Sequence, residues 1–315
     1  MDGSTFFPAL GALPDRPADT LPLQQTVTWL RALRLLGADV RPLQGTGLAG
    51  HAVMRRLPLL GDVAMISRGA GGLNAGQARG LRDALGARHL VVHADTPEDG
   101  LALRRAGFRR IAAPRLAASL AIAAPPAQLA ARMEGKWRNR LRHGSRQGLV
   151  VRRRPLPADP RHWIFDTEAR AARRLRYMPL PPQVIAAFCA ADHGGGQLFV
   201  VMRGAERLAA MLFLRHGAGA TYQIGWISDA GRRASAGNLC LWRAMLELRE
   251  LGVTRIDLGA ADARCAPGLA RFKTGAGGIV RPMGGSWLDT ACLPRARPLA
   301  AASPVAPEAA LTLLR

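Results

Sequence analysis

Residues 208–214 (LAAMLFL) form an apolar run with no polar residue at either parity, framed by Arg207 and Arg215. A strand with one wet face alternates; a strand apolar at every position has to be covered on both sides. The run therefore predicts a central strand of a sheet with helices on both faces. Residues 196–204 and 206–217 read as a hairpin around Gly204. Residues 219–229 (GATYQIGWISD) alternate, with Tyr222, Ile224 and Trp226 on one face and Thr221, Gln223 and Gly225 on the other. A helix over 238–251 sets Leu241, Trp242, Met245 and Leu248 opposite Arg243, Glu247 and Glu250, stops at Gly252, and leads to a strand over 253–261.

Upstream, residues 1–20 read as a flexible lead. A helix over 23–37, a strand pair (48–58 and 61–69), a helix over 75–86, a strand over 89–95 and a helix over 97–107 follow, an α/β alternation. The segment AAPPAQ (123–128) marks a boundary. One helix over 126–145 carries Leu129, Met133, Trp137 and Leu141 at i+4 steps, with Arg138, Arg142 and Arg146 as one cationic stripe and Lys136, Arg140 and His143 as another. Helices are expected at 159–176 and 182–191, a final strand toward Trp287, and a disordered tail over 291–315. This divides the chain into 21–122 and 123–290.

The charge balance is +22, from 44 basic residues against 22 acidic ones, so anionic ligands or surfaces are attracted. All but two of the basic residues are arginine; the lysines are Lys136 and Lys273. In a chain whose composition drifts so far toward arginine, a surviving lysine points to a position where a compact point charge serves and a planar fork does not, with chance survival as the plainer alternative. Cys189, Cys240, Cys265 and Cys292 show no metal-ligand spacing, which points away from a metal site or a disulfide framework and toward a reducing, cytoplasmic setting. No apolar run is long enough to span a bilayer.

The turn between the 219–229 strand and the next helix is rich in small residues, with Arg232 and Arg233 just upstream of Ser235, Gly237 and Asn238. A helix N-terminus offers unpaired N–H groups and a positive dipole end, a seat for phosphate or pyrophosphate. An ordinary polar turn has the same composition. Strand, Arg232-Arg-Ala-Ser235-Ala-Gly237, helix, strand resembles the acyl-CoA-binding core of GNAT-fold N-acyltransferases, with Ser235 where the first glycine usually stands. KWRNRLRHGSRQGLVV, the ISRG at 66–69, GVTRIDLG and Phe272-Lys273-Thr-Gly275-Ala276-Gly277 look like the Fem-type peptidoglycan-bridge aminoacyltransferases and their shorter GNAT-like relatives.

The resemblance implies two tandem GNAT-like lobes, each a mixed sheet flanked by helices, the first degenerate and the second catalytic. It places Lys273 near the reacting carbonyl or a substrate phosphate, and Lys136, Arg138 and Phe272 on the substrate side. Acyl-CoA (acetyl-CoA) is the implied donor, with no metal, and the implied acceptor is an amine on a small molecule or on a bacterial cell-envelope precursor. The long helical hairpin suited to tRNA is missing, so tRNA is the second choice of donor. No nucleophile triad is evident, so direct attack is expected. Lys273 would stabilise developing negative charge, Tyr222 donate a proton, and Asp257 act as base or orienter; core packing for Tyr222 and an ion pair for Asp257 are the plainer alternatives. Competing readings are an aminoacyltransferase using charged tRNA and a non-enzymatic basic protein that binds nucleic acid or anionic lipid. The oligomeric state is not legible.

Overall fold

The computed structural model describes residues 21–43, 48, 50–69 and 72–295, so the expected lead and most of the expected tail fall outside the described residues. After a 3-10 turn at Leu23–Gln25 come α1 (Val27–Leu35), β1 (Asp39–Pro42), β2 (His51–Leu57), β3 (Gly61–Ser67), α2 (Ala75–Ala84), β4 (His89–Ala94), α3 (Pro97–Arg105), β5 (Arg109–Ala112) and β6 (Leu116–Ala121). Next are α4 (Pro126–Ala131), α5 (Gly135–Ser145), β7 (Val150–Pro155), α6 (Trp163–Leu175), α7 (Pro182–Ala191), β8 (Gly196–Arg203), β9 (Glu206–His216) and β10 (Gly219–Ile227). The chain continues through α8 (Asp229–Arg233), α9 (Ala236–Glu250), β11 (Arg255–Ala260), α10 (Pro267–Gly275), β12 (Ile279–Pro282) and β13 (Gly285–Thr290).

Two mixed sheets result, in the orders β1-β2-β3-β4-β13-β5 and β12-β6-β11-β10-β9-β8-β7. Both contain an antiparallel meander followed by a helix and a parallel strand: β1-β2-β3-α2-β4 in the first, β8-β9-β10-α9-β11 in the second. This is the tandem mixed architecture the sequence implied. The apolar run in β9 is fully buried along its length. From Ala209 on, its two parities feed different cores: Ala209, Met211 and Phe213 meet α9, while Ala210, Leu212 and Leu214 meet α1, α6 and α7; Leu208, beside an irregularity in the β8 pairing, joins the first group.

The sheets do not divide at a single point near residue 122. β6, from the earlier segment, pairs with β11 and β12, and β13 crosses back to pair with β4 and β5. α1 also leaves the first sheet and packs on α7, with Trp29 and Phe188 ring centroids 6.4 Å apart. Each lobe is completed by the other's chain.

Three local readings are corrected. The helix expected over 126–145 is broken into α4 and α5: Glu134 turns extended and its N–H donates to Gly275 O, 3.0 Å, ahead of a weak helix former at Gly135. Leu129, Met133 and Trp137 nevertheless all stay in the core. The turn after β10 winds into a short helix, α8, capped by the Ser228 side chain on Gly231 N. Tyr222 does not share a face with Ile224 and Trp226, because a bulge between Tyr222 and Ile224 shifts the register. Tyr222 faces the α9 core; Ile224 and Trp226 face the α6 core.

Candidate active site

β10 and β11 are parallel but pair over only three residues, 219–221 with 255–257. Beyond Thr221 the strands part, and β10 runs on with no partner on that side while β11 stays bonded to β6. Lys273 enters this gap from α10. Its Nζ donates to Ala260 O on β11, 2.6 Å, and lies 5.9 Å from the Tyr222 ring centroid on β10. Burial pulls the Lys273 pKa down from 10.5 to about 8, against a smaller upward pull from Asp257. Tyr222 packs its ring on Phe213, 5.5 Å, and folds its hydroxyl over Gly225, where a Cβ would overlap it. Burial pushes its phenol up, so it is a proton donor rather than a phenolate. The bulge leaves Gln223 outside the β9 ladder at the same level. A carbonyl in the gap would thus meet an ammonium, a phenol and strand amides together.

The corresponding place in the first lobe is closed. β3 and β4 stay paired over five residues, 63–67 with 89–93, with no parting. The N-terminus of α2 is sealed by its own capping box, Asn74 on Gln77 N and Gln77 on Asn74 N. α9 differs. Its N-cap, Ser235, takes a left-handed conformation (φ 53°) and makes no side-chain cap. The Asn238 amide nitrogen in its first turn is buried without a hydrogen-bond partner among the described residues. The backbone N–H groups of Asn238 and Leu239 turn back to Ser235 O, 3.1 and 3.3 Å, so the donor left over in this first turn is the Asn238 side-chain Nδ2. α5 narrows the approach: His143 Nδ1 lies 3.2 Å from Ser235 Oγ, and a Cβ at Gly144 would come within 2.9 Å of Ser235 O.

Residues 131–274 match the family model described as "Acetyltransferase (GNAT) domain". This segment, a little under half of the chain, is similar to a GNAT acetyltransferase domain. It holds the parted strands, α9 and Lys273, and the chain is an acyltransferase. A solved structure of FemX is similar over 85% of this chain and 92% of that one, with 17% identity and a TM-score of 0.66. A conserved protein of unknown function from Bacteroides thetaiotaomicron VPI-5482 is similar over 87% and 91%, at 11% identity and a TM-score of 0.56. The C-terminal domain of a putative lysylphosphatidylglycerol synthetase from Agrobacterium fabrum follows, over 84% and 87%, at 15% and 0.52. At these identities the likeness is one of fold. No curated protein matches the chain.

The GNAT domain brings Lys273, Tyr222 and Asp257 to one place, with Ser235, Gly237 and Asn238 at the start of α9. Asp257 is committed: it pairs with Arg68 of the first lobe and accepts from Gly259 N, 2.7 Å. Arg68 holds its carboxyl below the ordinary carboxylate range against the cost of burial, so Asp257 stays an ionised partner of Arg68 rather than a group ready to take a proton. Phe272 is a packing residue, its ring 6.0 Å from Trp137 and its carbonyl accepting from Trp137 Nε1. Arg138 is spent on the end of α4, donating to Ala131 O at 3.3 Å. Lys136 is exposed on α5. Arg232 and Arg233 are exposed before α9, Arg232 lying 3.7 Å from Asp229.

Sequence reasoning missed what joins the lobes. Arg68, left-handed at φ 53°, bridges Asp257 and Asp95, and Arg281 on β12 holds Asp95 from the other side, 2.9 Å. His216 closes the group, its Nε2 3.0 Å from Thr221 Oγ1, neutral because burial lowers its pKa to about 4. The four charged residues lie 27 to 189 positions apart in the pairs they make, beyond any periodicity. The ISRG tetrapeptide was the one legible trace. Among the described residues, no three His, Cys, Asp or Glu side chains converge as a metal would need.

Proposed function

We propose that the protein is an N-acyltransferase that moves an acyl group from acyl-CoA to an amine acceptor by direct attack. The observation that carries this is the gap between β10 and β11 with the Lys273 ammonium inside it and the start of α9 beside it. Pyrophosphate oxygens would sit against the first turn of α9, with Asn238 Nδ2 and the exposed Arg232 and Arg233 as donors. The thioester would enter the gap. The neutral amine attacks the thioester carbonyl, a carbon–nitrogen bond forms, and negative charge grows on the oxygen facing Lys273. The carbon–sulfur bond then breaks, Tyr222 passes its proton to the departing sulfur, and the proton shed by the attacking nitrogen restores the phenol through solvent. In this reading the first lobe shapes the acceptor side.

A second reading keeps the chemistry and changes the donor to aminoacyl-tRNA, with a cell-envelope precursor as acceptor. The exposed cationic face of α5 (Lys136, Arg140, Arg142, Arg146) and the likeness to FemX favour it. Thiol release from acetyl-CoA and longer acyl-CoAs in the presence of mixed amines tests the first reading. If no acyl-CoA releases thiol or shifts the melting temperature, while charged tRNA binds with a steep salt slope, the second reading replaces it. A reducing, cytoplasmic setting fits either donor. Among the described residues, no helix is long and apolar enough to cross a membrane.

A further inference from the structure

The end of α6 and the loop behind it, residues 170–178 (RAARRLRYM), carry four arginines around three large apolar side chains. Residues 173–178 are exposed throughout, Met178 at 95% and Leu175 at 63%. Among the described residues, none of Arg170, Arg173, Arg174 and Arg176 pairs with a carboxylate. The tip is held in place. Arg176 closes α6 in a left-handed conformation, φ 55°, and Tyr177 N donates back to Ala172 O, 3.2 Å. The Tyr177 hydroxyl donates to Glu168, and Leu180 anchors the far side against the α6 core.

A fixed apolar tip ringed by unneutralised guanidiniums matches the layering of an anionic bilayer surface, phosphates outside and acyl chains beneath. We propose that the 170–178 tip docks the protein on anionic membrane, with Met178 and Leu175 entering the acyl boundary and the four arginines meeting headgroup phosphates. A second copy of the chain is a poor occupant, because it would set arginines against arginines. None of this depends on the acyl donor.

The test is flotation of the full chain with phosphatidylcholine vesicles containing phosphatidylglycerol, against pure phosphatidylcholine. Binding to the anionic vesicles alone is expected. Arg173→Glu with Arg174→Glu should lower the partition constant about tenfold or more, at roughly a few-fold per charge near the surface. Met178→Ser with Leu175→Ser should leave a weaker binding that moderate salt abolishes. Arg104→Glu with Arg105→Glu, exposed on α3, removes the same charge elsewhere and should cost less than about threefold. Unchanged melting temperatures would show that the variants fold. The proposal is overturned if the wild-type chain ignores anionic vesicles, if the α3 pair costs as much as the tip pair, or if the tip variants instead dissociate a dimer.

Discussion

Lys273→Met isolates the cost and the use of one charge. An ammonium whose pKa falls from 10.5 to about 8 carries roughly 3 kcal/mol against folding whenever it is protonated in both states. The side chain is only 4% exposed, so solvent does little to screen this. Methionine keeps the length and removes the charge, and the lost bond to Ala260 O costs it about 1 kcal/mol at any pH. Near neutral pH the variant should melt higher, by about 4 °C at roughly 2 °C per kcal/mol for a chain of this size. The advantage is full below pH 8 and fades as pH rises from 8 toward 10.5; above that the lysine is neutral folded or unfolded and only the cost of the lost bond remains. Acyl transfer should fall by about 10²–10³ in kcat, the loss typical of removing one charge-stabilising donor. Paired thermal melts across pH 6 to 10, with turnover at pH 7, measure both. A variant that melts lower at pH 7, or whose advantage does not shrink with alkali, would show that the ammonium is satisfied where it lies and the reasoning is wrong.

In the wild-type enzyme, kcat should decline as pH rises through about 8, as the Lys273 ammonium is lost, and a pH–rate profile reads it directly. Arg68→Ala leaves Asp257 and Asp95 facing each other in the lobe interface and should cost about 3 kcal/mol in urea unfolding; wild-type-like stability would mean the bridge is idle. Asp257, held low, stabilises the fold above the ordinary carboxylate range and stops doing so as pH falls below it, so Asp257→Asn should blunt acid unfolding. Ser235→Gly relieves a left-handed φ and should add about 1 kcal/mol, visible as a higher urea midpoint. Gly225→Ala displaces the Tyr222 hydroxyl and should cut kcat with little change in acceptor KM.

Much of the fold was legible where one periodicity held long enough. β9 declared itself by being apolar at both parities, β8 by its hairpin at Gly204, and α9 by an apolar face opposite charged residues, stopped at Gly252. β5 and β6 were not read. Residues 116–121 (LAASLA) are half alanine, which by itself favours helix, and pairing with β11 and β12 makes them a strand. The bulge at Gln223 defeated the simple alternation of β10, since one extra residue exchanges the faces of everything after it. The break at Glu134 came from a bond to Gly275, far along the chain.

The site divides in the same way. The two lysines, the small-residue turn before α9 and the Phe272-Lys273 pair were visible because chemistry and composition marked them locally. Sequence by itself established an arginine-rich α/β chain with a covered central strand and a small-residue turn behind two arginines, since those follow from neighbours a few residues apart. Only the tertiary structure decided that β10 and β11 part after three pairs, that β13 returns to the first sheet, and that Arg68 takes Asp257 from any role as a base. Those outcomes depend on groups far apart along the chain meeting in a shared low-dielectric interior, where burial and pairing set proton affinities that no local pattern encodes.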